Sequence, residues 1–236
     1  GKFILNLLMF KIFIAIFHLV NTLLIYKILK KTDPKILLFG TAFYTLNPLF
    51  LIEGVVNAHN DILIATFLLL SIYFLVHKKT LHSLLMLVLG FFIKYIPILN
   101  LPWLLFALFS KEKNCKRHIY LCLIILGIFT YIFSTFGPEV PFISKGSTQV
   151  QFQPWYLFWT LPFIALIPSM WLTAAAIALS FGATLRYLPN LYYGDWIHIG
   201  TIQFMTTVTI APLLLVLFIT VIVKTLRLGK SYGKEI

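Results

Sequence analysis

The feature that most constrains this chain is a succession of apolar runs, each close to the length of a membrane crossing and separated by short polar or basic connections. A helix needs about 20 apolar residues to span the hydrocarbon core, and lipid leaves no water to satisfy loose backbone groups. Long runs rather than short alternating segments exclude a barrel and point to helices. Composition agrees: 60% of the 236 residues are hydrophobic, only 11% are charged, and the mean hydropathy is +0.95. The expected fold is an all-α polytopic transmembrane bundle of about eight membrane segments, forming one integral membrane domain over residues 1–236.

In order, Phe3 to Tyr26 reads as the first span, with Lys11, His18 and Asn21 inside it. A helix facing only lipid would not carry those three. Ile36 to Leu51 reads as the second, with Asn47-Pro48 near its far end, and Ile62 to Val76 as the third. Leu84 to Phe109 resembles one long helix, but Lys94, Pro97, Asn100 and Pro102 fall at its middle and basic clusters flank both ends. It reads as two short segments turning near Lys94 to Pro102. His118 to Phe136 crosses back, and Phe136 to Gln153 forms a polar loop containing Glu139. Pro154 to Ile167 and Trp171 to Leu185 form a hairpin about Pro168 and Ser169. After the Arg186 to Gly200 connection, with Asp195 and His198, the last span runs from Phe204 to Val223.

Charge orients this layout. The net charge is +12, and all Lys and Arg except Lys2, Lys11, Lys94, Lys145 and Arg186 fall in four clusters that the layout puts on one face. Lys and Arg concentrate in cytoplasmic loops, so these clusters mark the inner face and meet anionic headgroups. No basic stripe with interleaved aromatics appears, which excludes nucleic acid as the partner. Cys115 and Cys122 read as a reduced pair, and no CxxC, P-loop, GxGxxG or HExxH motif is present.

The same layout gathers polar groups on the outer face. The stretch Asn47 to Asp61, NPLFLIEGVVNAHND, places Glu53, Asn57, His59, Asn60 and Asp61 at one level. Helix capping explains Asn60 or Asp61, since a cap needs only one such residue, but not the other three. Lys94, Glu139, the Gln153-Pro154-Trp155-Tyr156 segment and the Asp195 loop join the same layer. Such a pocket suits a substrate that is part sugar and part lipid phosphate: amides and carboxylates bind hydroxyls, aromatic faces cover a sugar ring, and a lysine offers a point charge to phosphate. Lys94 is the phosphate candidate, with snorkelling to headgroups as its plain alternative. Glu53 and Asp61 are candidate general bases, and spacing does not choose between them. His59 can serve as a base, a phosphate donor or a zinc ligand. Only Asp61 and Glu53 are near enough in sequence to help, so no metal is expected. For Trp155, Tyr156 and Trp159 the plain alternative is an interfacial aromatic belt.

Three motifs in order carry a resemblance. LNPLFLIEGVVNAHNDILIATFLLLSIYF, GFFIKYIPILNLPWLL and QPWYLFWTLPFIAL resemble successive motifs of polytopic GT-C glycosyltransferases, especially bacterial polyprenol-phosphate mannosyltransferase-like proteins. An NP-containing helix leads there to a G-H-N-D-like stretch, matched by Ala58-His59-Asn60-Asp61, with Ala58 at the glycine position. A K-x-x-P turn is matched by Lys94 and Pro97, and P-W-Y-x-x-W by Pro154 to Trp159. The resemblance implies a cofactor-free transfer of a hexose, such as mannose, from a polyprenyl-phosphate donor to a glycan or lipid acceptor. The transfer would occur with inversion, on the extracytoplasmic face of the cell membrane. It implies catalytic roles for Asp61 and His59 and substrate contacts from Glu53, Asn57, Asn60, Lys94, Gln153, Trp155 and Tyr156.

One departure stands out. GT-C enzymes carry a catalytic aspartate in the first outer loop, after the first span, and no such loop precedes Lys27 here. With Gly1 as first residue, the expectation is that the chain is the C-terminal part of a longer protein, that no signal peptide is removed from it, and that Asp61 supports a base supplied elsewhere. The competing class is a transporter or lipid-linked sugar flippase, which would spread polar residues over both leaflets and show related halves.

Overall fold

The computed structural model describes residues 2–102, 104–105, 115–136, 153–194 and 201–232. Every regular element among them is helical. The chain divides into two compact units, Gly1–Pro168 and Ser169–Ile236.

The first unit opens on α1, Lys2–Thr32, which presents large apolar side chains outward along its length, among them Phe3, Leu8, Phe13 and Leu23. Two of its polar interruptions point the other way. His18 is buried, with Nε2 3.2 Å from the Thr45 carbonyl and its ring stacked on Tyr44. Asn21 is fully buried and donates through Nδ2 to the Tyr44 hydroxyl at 2.9 Å and to the Ile62 carbonyl at 3.2 Å. One amide thus ties α1 to the next two elements. Lys30 and Lys31 sit in the last turn, where cations favour the helix dipole, and Pro34 follows the end.

Next comes α2, Leu37–Thr45, a short helix whose Gly40 faces the Ala165 carbonyl so closely that a Cβ would collide with it. The helix ends at Thr45, just before the Asn47-Pro48 pair, where proline disfavours helix at the residue before it, and Asn47 Oδ1 accepts the Leu49 N–H at 3.0 Å. The chain then resumes as a π-helix, Phe50–Val56, bent 55° from the preceding helix. Most of the Asn47 to Asp61 stretch is therefore helical. After a turn at Asn57–Asn60, α3, Asp61–Val76, runs through the middle of the unit with most of its residues buried. α4, Thr80–Phe91, follows, then a turn holding Lys94, and a 3-10 segment, Ile96–Asn100. The break near Lys94 is where the two-segment reading put it.

Then α5, Cys115–Phe136, packs against α3, the 3-10 segment Ile96–Asn100 and a second 3-10 segment, Pro154–Trp159. Pro154 to Ile167 is not a continuous span. It forms a 3-10 helix, Pro154–Trp159, and one turn of α6, Leu161–Ile164, and every residue from Tyr156 to Ile167 is buried. Its apolar character reflects burial in protein, and Pro162 falls where a longer helix would need an N–H.

The second unit holds α7, Met170–Leu185, whose first turn is capped by Ser169 Oγ accepting the Leu172 N–H at 3.2 Å. A short α8, Leu188–Tyr193, ends at Gly194 with φ 77°, and α9, Thr201–Tyr232, packs against α7.

Among the described residues, two helical stretches, Lys2–Thr32 and Met170–Tyr193, are long and apolar enough to cross a bilayer, or three if the bent pair before Asn57 counts as one. These mark a membrane protein. Asp61–Val76, at 16 residues, spans roughly 24 Å, short of a hydrocarbon core of about 30 Å. The described helices thus supply fewer full-length crossings than the eight segments expected.

Candidate functional site

Asp61 is the centre. It opens α3, yet it does not act as a surface cap; its side chain is 0% exposed. Nor does Asn60, the capping position, make a side-chain cap bond. The capping alternative therefore does not describe either residue.

Three side chains converge on the carboxylate. The Trp159 indole N–H donates to Oδ1 at 2.7 Å. The Lys94 ammonium donates to Oδ1 at 3.1 Å and Oδ2 at 3.4 Å. His59 Nδ1 lies 2.8 Å from Oδ2, approaching off the N–H axis, so the contact is electrostatic more than a well-aligned hydrogen bond. A charge taken out of water persists only with such partners, and this one has a cation and an indole donor as well as an imidazole. Lys94 keeps about a third of its side chain exposed and sits 5.3 Å from the Trp159 ring centroid, close enough for cation–π attraction.

The local backbone explains how His59 and Asp61 come to face the same way. The π-helix widens the last turn, so that the Asn57 N–H reaches back to the Ile52 carbonyl and the His59 N–H is shared between Glu53 and Gly54. Ala58 then takes a left-handed conformation, φ 55°, which glycine adopts without strain. That is the position at which the motif the sequence resembles has glycine. Gly54 admits the close approach behind it: a Cβ there would meet the Ile62 side chain.

The aromatic wall comes from the 3-10 helix Pro154–Trp159. Residues three apart eclipse in such a helix, and the Tyr156 and Trp159 rings stack at 4.8 Å. Trp155 points to the other side and stacks on His59, with ring centroids 4.2 Å apart and planes 21° apart. Trp155 and His59 are half-buried, whereas Trp159 is fully buried.

The remaining expected residues divide. Glu53 is buried and accepts from Asn57 Nδ2 at 3.2 Å through Oε2, while Oε1 has no partner among the described residues. Asn57 and Asn60 are exposed. Gln153 contributes its backbone carbonyl to the Tyr156 N–H, and no side-chain bond joins it to Asp61. Glu139, Asp195 and His198 lie outside the described residues. Among the described residues, no three His, Cys, Asp or Glu side chains are grouped to hold a metal. Trp159, for which an interfacial belt is the plain alternative, makes the shortest hydrogen bond to the central carboxylate; its signal in the sequence is the second tryptophan of P-W-Y-x-x-W.

Part of the chain is similar in sequence to a known family. Residues 2–111 match the MptA_B family, alpha-(1->6)-mannopyranosyltransferase, N-terminal domain. The match supports a mannosyltransferase-like glycosyltransferase. It covers Glu53, His59, Asp61 and Lys94 but stops short of the tryptophans. No curated protein and no solved structure matches the chain.

Proposed function

We propose that this chain is a membrane hexosyltransferase, of the mannosyl class, that takes its sugar from a polyprenyl-phosphate donor. The acceptor is a hydroxyl of a glycan or lipid at the extracytoplasmic face, and the transfer is a single inverting displacement. The observation that carries this reading is the Asp61 cluster: one buried carboxylate holds a part-exposed lysine and a part-exposed histidine, the histidine stacked on Trp155. A donor of that kind needs a cation for its phosphate, a flat apolar surface for its sugar and a polar group at the attacking hydroxyl. Lys94 supplies the first, the half-buried Trp155, with Tyr156 packed edge-to-face behind it, the second, and His59 the third. Glu53, Asn57, Asn60 and Gln153 are the groups for sugar and acceptor hydroxyls. Family similarity over residues 2–111 supports the sugar class.

The test is transfer in proteoliposomes from polyprenyl-phosphate mannose, comparing wild type with Lys94→Ala and Trp155→Ala. Wild-type transfer with a raised donor KM in both variants is expected. Transfer from a nucleotide sugar alone, or none from any polyprenyl-phosphate hexose, would overturn the reading.

A further inference from the structure

We infer that His59 Nε2 is the proton-accepting atom of this site and that Asp61 is the residue that positions it. The inference rests on the glycosyltransferase reading and divides its chemistry between the two side chains.

Asp61 is poorly placed to touch a substrate. It is 0% exposed, Oδ1 receives both Trp159 and Lys94, and Oδ2 receives Lys94 and faces His59. Carboxylate lone pairs already engaged by donors leave nothing to offer an incoming hydroxyl. Glu53, the other carboxylate of the stretch, is also buried and holds Asn57.

His59 has the complementary properties. Its side chain is 25% exposed, and Nε2 has no hydrogen-bond partner among the described residues. Stacking on Trp155 fixes the ring plane. With Nδ1 2.8 Å from Asp61 Oδ2, a lone pair on Nδ1 would be repelled by the carboxylate, whereas an N–H there is attracted. The proton of the neutral ring therefore belongs on Nδ1, and the lone pair is on Nε2. Asp61 in turn is held by Trp159 and Lys94, so the orientation is supported from behind.

The step balances. The acceptor oxygen forms its bond to the anomeric carbon while the bond from that carbon to the phosphate oxygen breaks. The electron pair of that bond leaves with the polyprenyl phosphate. The hydroxyl proton passes to Nε2, giving an imidazolium beside the Asp61 carboxylate, and water then removes it. An aspartate that orients a histidine and steadies its cation, without taking the proton itself, is an established division of labour.

The experiment uses the full chain. In proteoliposomes with polyprenyl-phosphate mannose, His59→Ala should lower kcat about 10²-fold or more with little change in donor KM, and added imidazole should restore part of it. ¹⁵N NMR of the histidine-labelled protein in micelles should show His59 as the Nδ1–H tautomer in wild type, and a mixture in Asp61→Asn. His59→Gln with wild-type kcat, or an Nε2–H tautomer in wild type, would overturn the inference. Absence of wild-type transfer would overturn the glycosyltransferase reading instead, while the tautomer measurement still decides whether Asp61 positions His59.

Discussion

Two aspartate–lysine pairs in the first unit have nearly the same length and very different surroundings. Lys94 reaches Asp61 at 3.1 Å, where the carboxylate is fully buried and also faces Trp159 and His59. Lys116, near the start of α5, reaches Asp33, just past the basic end of α1, at 3.3 Å, with the lysine side chain 56% exposed. Asp33 lies 12 residues beyond Asn21, which meets the start of α3, so it sits about 18 Å further along α1. Distance does not separate the pairs; burial does. Solvent and salt screen an exposed pair to near zero, whereas a carboxylate removed from water depends on every donor it has. The first pair can therefore organise a site, and the second cannot.

Lys94→Ala should give the largest effect. It leaves a buried carboxylate short of its cation, and we expect a loss of about 3 kcal/mol in unfolding stability measured in detergent micelles. Retained stability would mean that water reaches Asp61. Trp159→Phe keeps an aromatic side chain but removes the indole N–H from the same carboxylate together with part of a buried ring, for which about 2 kcal/mol or more is expected by the same measurement. A value below that of an exposed pair would make the indole a packing residue only. Ala58→Gly relieves the left-handed turn that aims His59 at Asp61, at some entropic cost, and should stabilise by about 0.5 kcal/mol while sparing transfer. Destabilisation there would show that the turn is not strained. Lys116→Ala should change stability by less than about 0.5 kcal/mol, with any effect vanishing in high salt. A cost equal to that of Lys94→Ala would erase the contrast between the two ends.

Much of the site was legible in one dimension. Glu53, Asn57, His59, Asn60 and Asp61 are costly residues in an apolar chain, and the turn at Lys94 follows from prolines and a lysine inside an otherwise apolar run. What escaped were properties that depend on facing. Trp159 reads as an interfacial aromatic until the fold carries it to a carboxylate 98 residues earlier. Pro154 to Ile167 reads as a span because burial in protein and burial in lipid leave the same apolar composition. Gln153 joins the site by adjacency in the sequence, and among the described residues its backbone carbonyl accepts the Tyr156 N–H.

The sequence by itself determined that this chain is helical and belongs in a membrane, because hydropathy and the need to satisfy backbone groups act locally and add along the chain. It also determined the residue types available to a sugar-phosphate site. Tertiary structure decided which of them meet. The π-helix and the left-handed Ala58 turn His59 and Asp61 the same way, the 3-10 helix divides Trp155 from Trp159, and packing brings both to α3. Those outcomes depend on contacts between distant residues, whose free energies appear only when the elements are assembled.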